Sequence, residues 1–186
     1  QTSGPAVATG LGAKGAKRNL RAAGLQGNTI RRTLVLAQPV VLEAPDQQAW
    51  LRAQTSTLDL NQNTVVSSLP FEARLKTLSI SGGAFSLDLD DQIARITRQC
   101  RLQQPNASLQ AGSCRWDWRT QQVQASRGVE VRRASHQQTT RASSLTGSLG
   151  SNGQLTFTAP GDRVQSRWRL PARRSGAQPQ TPAIRF

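Results

Sequence analysis

The sequence predicts an all-β domain, and three observations support that prediction. Apolar and polar residues alternate in short runs, from residues 33–36 at one end to residues 155–158 at the other. Groups of Gly, Pro, Asn and Asp separate the runs, as at residues 61–63 and 82–83. No window places apolar residues at the i, i+3, i+4 and i+7 positions of a helix over three turns. Alternation with a period of two is typical of strands that bury one face.

Composition predicts the boundaries of this domain. Residues 1–28 are rich in Gly, Ala, Lys and Arg without a sustained period, so we expect a flexible basic lead-in. Residues 171–186 are rich in Pro and Arg, and we expect a flexible tail. The β-domain is therefore expected over residues 29–170. No run in the chain approaches the roughly 18 apolar residues of a membrane-spanning helix.

Within the domain, a 29-residue repeat orders the strands. Residues 58–60, 87–89 and 116–118 each have an Asp between two apolar residues, and the triplets are 29 residues apart. Other apolar and small positions follow in the same register. Such a unit accommodates two strands of about ten residues with two turns. It predicts either a hairpin or one strand up and one strand down in a two-sheet structure.

The repeat also bears on the role of the carboxylates. Asp59, Asp88 and Asp117 occur once per unit, whereas catalytic carboxylates must converge on one reacting atom. We expect these side chains to face solvent or to stabilise turns. The chain has a single His, His136, and no pattern of converging nucleophile, base or metal ligands. The sequence therefore favours a protein that is not an enzyme, with no cofactor and no metal site.

The apolar residues of the repeat form the candidate binding surface. In a strand their side chains point away from the Asp, towards one shared face. In a closed sandwich this face is core, whereas in a sandwich whose sheets do not seal the same residues line a slot for acyl chains. The residues concerned are Leu58, Leu60, Phe71, Phe85, Leu87, Leu89, Leu102, Trp116, Trp118, Val129 and Val131.

The net charge of +14 comes from 21 Arg and three Lys against ten acidic residues. Arg binds phosphate and carboxylate bidentately, which suits an anionic headgroup at the mouth of such a slot. A solvated strand exterior explains the same charge. Nucleic acid is not an expected partner, because Trp116 and Trp118 alternate with Asp117, which separates the rings from the charge. The candidate headgroup residues are Arg101, Arg115, Arg132 and Arg133.

The order of these motifs resembles the lipopolysaccharide transport bridge proteins of the LptA/LptC (OstA-like) type. In that family the units similarly read apolar-x-Ala, then apolar-Asp-apolar, then a turn. The resemblance covers roughly residues 30–170, and its specificity lies in the order and repetition of the motifs. The segments that carry it are residues 33–45, 49–60, 65–71, 109–118, 123–125 and 128–133.

The resemblance implies a twisted β-jelly-roll, open along one side and built of repeated antiparallel strand pairs. It implies a periplasmic protein that holds the acyl chains of lipopolysaccharide in an apolar groove. Neighbouring Lpt bridge proteins would join it by edge-strand pairing, and an inner-membrane ABC transporter would drive the lipid along. A soluble LptA-like role and an LptC-like role, anchored to the inner membrane by a segment outside this chain, both stay open. A non-catalytic envelope scaffold and an anion-binding repeat module without a groove are the alternatives.

Cys100 and Cys114 lie 14 residues apart. In an oxidising compartment a disulfide between them would stabilise the fold by about 3 kcal/mol. Two reduced, buried cysteines are the alternative. In the register of the repeat the pair falls on neighbouring antiparallel strands, which brings a disulfide within reach.

Overall fold

A computed structural model describes residues 5–9, 19–134, 137–149, 155–158 and 165–167. These residues form β-strands and one 3-10 turn (Pro45–Gln47). In chain order the strands are β1 (Ala6–Thr9), β2 (Asn19–Ala22), β3 (Gly24–Asn28), β4 (Thr33–Ala37), β5 (Val40–Ala44), β6 (Ala49–Ala53), β7 (Ser56–Asp59), β8 (Thr64–Ser67), β9 (Phe71–Leu75), β10 (Leu78–Gly82), β11 (Ala84–Asp88), β12 (Ile93–Arg98), β13 (Cys100–Gln104), β14 (Ala107–Ala111), β15 (Ser113–Asp117), β16 (Gln122–Arg133), β17 (Gln138–Leu149), β18 (Leu155–Thr158) and β19 (Gln165–Arg167).

The strands pair antiparallel in one network that divides into two sheets. The first sheet has the order β1-β2-β5-β6-β9-β10-β13-β14. The second has the order β3-β4-β7-β8-β11-β12-β15. The two 12-residue strands β16 and β17 run through both sheets, because β16 pairs with β15 through one half and with β14 through the other. Strands β18 and β19 pair with opposite halves of β17.

Tight corners connect the two sheets. Single residues, Gly83, Gln99 and Gly112, separate β10 from β11, β12 from β13 and β14 from β15. At Gly112 a Cβ atom would lie 2.6 Å from the Cβ of Arg127, so only glycine fits. Strand β16 bends at the same level through a bulge, where Arg127 and Gly128 have φ values of 66° and 76°. We call this line of corners, residues 83, 99, 112 and 127–128, the vertex.

The corners show how the 29-residue repeat is built. The predicted runs of about ten residues are present, for example over residues 78–88 and 93–104, but each bends at the vertex and continues in the other sheet. The prediction of one strand up and one strand down is therefore refined, since each run supplies one short strand to each sheet. Every repeat consequently adds a hairpin to both sheets.

The hairpin turns lie at the ends of the strands away from the vertex, and we call them the tips. At the tips of the second sheet the Asp of each repeat accepts hydrogen bonds from main-chain N–H groups of the turn. The distances are 2.8–3.0 Å, and the donors are Asn61 and Gln62 for Asp59, Asp91 for Asp88, and Arg119 and Thr120 for Asp117. The prediction that these carboxylates stabilise turns is confirmed.

The buried core lies between the sheets. Leu36, Leu109, Val129 and Cys100 are each no more than 2% exposed. A disulfide joins Cys100 of β13 to Cys114 of β15, with their Cα atoms 5.9 Å apart. The two residues lie on neighbouring antiparallel runs, but beyond the corner in different sheets, so the disulfide cross-links the first sheet to the second beside the vertex.

The N-terminal region differs from the expected flexible lead-in. Residues 19–28 form β2 and β3, which pair with β5 and β4. Alternation in this segment is masked in the sequence by Gly and Ala, yet Leu20 and Leu25 still pack against the core. The expected tail, residues 171–186, lies outside the described residues. In the described part of the chain no helix is long and apolar enough to cross a membrane.

Candidate functional site

A groove opens between the tips of the two sheets. Its volume is about 590 Å³. The first sheet contributes Leu42, Leu51 and Leu75, and the second contributes Leu89 and Trp118. The groove therefore lies on the side of the molecule away from the disulfide-linked vertex.

An apolar cavity of about 80 Å³ continues this groove towards the core. Thirteen side chains line it, and all of them are aliphatic, aromatic or the sulfur of Cys114. The two spaces are continuous, because six residues line both of them: Leu51, Ala73, Ile80, Leu87, Ala94 and Trp116.

Two alanines explain where the sheets fail to seal. Across the second sheet, Ala94 pairs with Leu87 on one side and Trp116 on the other. Across the first sheet, Ala73 pairs with Leu51 and Ile80. Both alanines interrupt rows of large apolar side chains, and both line the groove and the cavity.

The register of the repeat shows what these alanines replace. Ala94 occupies the position of Val65 and Val123, 29 residues before and after it. Ala73 occupies the position of Leu102 and Val131 in the following repeats. A small residue in place of a larger one leaves space that the rigid strands cannot close. The groove therefore lies where the sequence departs from its own repeat.

Two tryptophans form one wall of the groove. Trp116 and Trp118 meet edge to face, with ring centroids 6.1 Å apart and planes inclined by 62°. The tip holds Trp118 in place, since its main-chain N–H donates to the carbonyl oxygen of Gln92 at 3.0 Å. Leu89 is fixed in the same way by the carbonyl oxygen of Asn63 at 3.1 Å. The hydrogen-bonded tips thus position large apolar side chains over the opening.

Between the two tryptophans, Asp117 anchors the turn. The main-chain N–H of Thr120 is the main cause that lowers the pKa of the Asp117 carboxyl below its ordinary value, while burial opposes the shift. The charged form of Asp117 is therefore the one that holds this wall of the groove in place.

The structure brings most of the predicted apolar residues together. Phe71, Phe85 and Leu102 line the inner cavity, Leu89 and Trp118 the outer groove, and Leu87 and Trp116 both spaces. These seven residues come from both sheets, so the single face expected from the alternation is divided between two facing walls.

The other four predicted residues lie elsewhere. Leu58 packs in the second sheet between Leu34 and Val65, outside the groove lining. Leu60 begins a turn and is 46% exposed. Val129 is sealed in the core, and Val131 lines a separate pocket of about 10 Å³. The structure places these four side chains outside the groove. Alternation assigns a side chain to a face but does not show which part of that face stays open.

The predicted headgroup arginines do not gather at the groove mouth. Arg101 and Arg132 line a different concave surface, on the outer face of the first sheet. Arg115 lies between Arg95 and Gln124 on the outer face of the second sheet, and Arg133 is exposed at the end of β16. The strand alternation that turns Leu102 and Trp116 inward turns Arg101 and Arg115 outward.

Arg132 and its neighbours form an ion-paired cluster. Glu130 accepts from Arg132 Nε at 2.6 Å and from Arg141 Nε at 2.7 Å. Arg141 first, and then Arg132, lowers the pKa of the Glu130 carboxyl. The single carboxylate of Glu130 therefore offsets one of the two positive charges in this part of the surface.

The cations that do line the groove mouth are Arg74 and Lys76, at the β9–β10 tip. Arg74 Nε donates to the carbonyl oxygen of Lys76 at 3.0 Å, which orders the turn. Sequence analysis missed both residues. Their position in a turn that faces the Trp-bearing tips becomes evident only once the two-sheet topology is known.

A further pair of arginines has a structural role. Arg127 Nη2 donates to the carbonyl oxygen of Thr97 at 2.6 Å, and Arg98 Nη2 donates in the same way to that of Ser68. Arg98 and Arg127 are 29 residues apart and each reaches back by 30 residues. Part of the positive charge therefore serves to join successive corners of the vertex.

No group of three or more His, Cys, Asp or Glu side chains that could hold a metal occurs among the residues that the structure describes. His136 lies outside them.

A solved structure has the same architecture. The chain is similar to LptH of Pseudomonas aeruginosa, described as the LptA-homologous periplasmic component of the lipopolysaccharide transport device. The TM-score is 0.53 at 16% identity, over 82% of this chain and 95% of that chain. This chain has the LptH fold. The prediction of an open, twisted β-jelly-roll of antiparallel strand pairs is thereby confirmed. No protein-family model matches the sequence, and no curated protein matches it.

Proposed function

We propose that this protein carries lipopolysaccharide or a related glycolipid, with the acyl chains in the groove between the two sheets. The observation that carries the proposal is the continuity of the outer groove with an apolar cavity. The groove volume of about 590 Å³ falls in the range of about 300–1,000 Å³ that is usual for ligand sites. A protein with an apolar slot of this kind gains stability when an acyl chain removes the slot lining from water.

The shared fold with LptH supports a role as a bridge component in the periplasm. The disulfide between Cys100 and Cys114 fits an oxidising compartment of that kind. Among the described strands, β1 and β3 lie at one end of the two sheets, and β18 and β19 at the other. Open edges at both ends suit edge-strand pairing with neighbouring Lpt bridge proteins, and through them a link to an inner-membrane ABC transporter.

Photocrosslinking in cells that make lipopolysaccharide tests the groove directly. A photoreactive residue at Leu87, which lines both spaces, is compared with one at Ser86. Ser86 is the matched control, because it lies on the same strand with its side chain on the opposite face. We expect a glycolipid adduct from position 87 and none from position 86.

The other outcomes separate the competing functions. Equal adducts from both positions would indicate an adhesive basic surface and would favour an anion-binding module. Absence of adducts from both would contradict lipid carriage and would favour an envelope scaffold.

Restoring the repeat should narrow the groove where it meets the inner cavity. Ala94→Val introduces the residue that stands at the equivalent positions 65 and 123. We expect a weaker Leu87 adduct and an unchanged β-sheet signal in circular dichroism, because the added methyl groups fill part of the inner space rather than displacing a neighbour. Ala37→Val, at an exposed position of β4, is the control and should leave the adduct unchanged. An undiminished adduct in Ala94→Val would place the lipid elsewhere.

A further inference from the structure

We infer that the indole N–H of Trp116 donates a hydrogen bond to the carbonyl oxygen of an acyl chain bound in the groove. The inference rests on the proposed function, which it deepens by stating which chemical group the groove recognises. It makes the groove a site for acyl chains rather than for alkyl chains in general.

The observation behind it is a buried donor without an acceptor. Trp116 Nε1 is shielded from solvent, and no residue in the described part of the chain accepts its hydrogen bond. Buried Trp N–H groups usually find a partner, because an unsatisfied donor loses its hydration without compensation. Packing alone therefore does not explain why the Trp116 N–H has no partner.

No described side chain around Trp116 accepts a hydrogen bond from its Nε1. The outer groove also contains Asp46, Gln47 and Gln121, but none of them is its partner. The other side chains that line the inner cavity are aliphatic or aromatic, apart from the disulfide-bonded Cys114. Main-chain oxygens on the neighbouring strands are engaged in the ladders that pair β15 with β12 and β16. An acyl chain that enters the cavity would bring the missing acceptor with it.

The position of Trp116 indicates which part of a ligand carries that acceptor. Trp116 lies where the polar-edged outer groove meets the apolar cavity. Arg74 and Lys76 line the outer side, and the cavity beyond accepts only hydrocarbon. An acyl chain has its carbonyl at the junction between polar head and hydrocarbon, so its carbonyl oxygen would reach the indole as the chain enters the cavity.

A pair of simple amphiphiles tests this inference. Monomyristoylglycerol and 1-O-tetradecylglycerol share a 14-carbon chain and a glycerol head, but only the first has a carbonyl. Affinities for the full chain are measured by isothermal titration calorimetry. We expect the wild-type protein to prefer the ester by about 5- to 10-fold, the difference that one neutral hydrogen bond makes.

Two variants test whether Trp116 causes the preference for the ester. Trp116→Phe removes the N–H and keeps an aromatic ring, and it should bind both amphiphiles equally. Trp118→Phe makes the same change at the groove rim, so any loss of affinity should be equal for the two amphiphiles and the ratio of their affinities should stay that of the wild type. Retention of the ester preference in Trp116→Phe would overturn the inference.

The wild-type measurements separate this inference from the proposed function. Equal affinity for both amphiphiles would overturn the hydrogen bond and leave chain binding in the groove intact. Binding of neither amphiphile would overturn both.

A second measurement on the wild-type protein covers the case in which Trp116→Phe does not fold. The indole N–H resonance of Trp116 is assigned in the ¹H–¹⁵N spectrum by elimination, with Phe replacing each of the other three tryptophans in turn. It should move downfield with the ester and not with the ether. An identical response to both amphiphiles would contradict the inference.

Discussion

The vertex and the tips both recur in every repeat, yet they differ in packing. Beside the vertex, the sheets are joined by the Cys100–Cys114 disulfide and by arginines that bridge successive corners. At the tips, the sheets separate, and Leu87 and Trp116 remain partly exposed. The repeat therefore specifies the frame of the molecule. A few departures from it, chiefly Ala73 and Ala94, specify the space for a ligand.

A Leu→Ala substitution should lower the free energy of unfolding far more in the sealed core than at the groove. This is the largest difference that we expect. Leu109 is 1% exposed, so Leu109→Ala should lower the free energy of unfolding by about 3–4 kcal/mol through a cavity in the core. Leu89→Ala at the groove should lower it by less than about 1 kcal/mol, because solvent already reaches the side chain. Urea denaturation of both variants measures the difference. Similar losses would mean that the groove side is packed as tightly as the core.

Reduction of the disulfide should give the next largest loss of stability. The bond closes a short loop between residues 14 positions apart, and its loss should cost about 3 kcal/mol. Urea midpoints with and without a reducing agent measure the effect. The double variant Cys100→Ser with Cys114→Ser is the control, since its midpoint should not respond to the reducing agent. A reductant-insensitive wild type would show that the vertex does not depend on this cross-link.

The bridging arginines should contribute less. Arg127→Gln removes the guanidinium hydrogen bonds to Thr97 and Ser113. We expect a loss of about 1 kcal/mol in the free energy of unfolding, because these bonds are exposed to solvent. Arg95→Gln, on the outer face of the second sheet, is the control for the loss of one positive charge. Equal effects of the two changes would assign the loss to net charge rather than to the vertex.

The smallest effect should appear as a pH dependence at the tips. Because the pKa of Asp117 is lowered in the folded protein, its stabilising effect is present above the unfolded pKa of about 3.9 and is lost as pH falls through the folded pKa. Wild type should therefore melt at a higher temperature than Asp117→Asn at pH 6. The two melting temperatures should converge towards pH 2. A constant difference across this range would exclude titration of Asp117 as the cause.

Much of this architecture follows from the sequence. The alternating runs, the 29-residue spacing and the turn-stabilising role of Asp59, Asp88 and Asp117 could all be predicted, because each depends on local geometry. The strands β1, β2 and β3 were missed, since Gly and Ala hide their alternation. The pairing of β2 and β3 with β5 and β4 depends on partners distant in sequence rather than on local propensity.

The candidate site was harder to predict than the fold. Alternation found seven of its residues but also included Val129 and Leu60, because it cannot distinguish sealed core, open groove and turn. The role of Arg98 and Arg127 was missed, although their spacing of 29 residues is visible in the sequence. Arg101 and Arg115 were assigned to a headgroup site from their charge alone. The face of the sheet on which each lies becomes evident only from the topology.

The alternation of short strands between two sheets has a consequence for the size of the molecule. Each repeat pairs with itself and with its immediate neighbours, so an additional 29-residue segment inserted between two tips would extend both walls together. The groove would lengthen only if the added repeat also had small residues at the positions equivalent to Ala73 and Ala94. The span of such a fold is set by the number of 29-residue repeats that it contains.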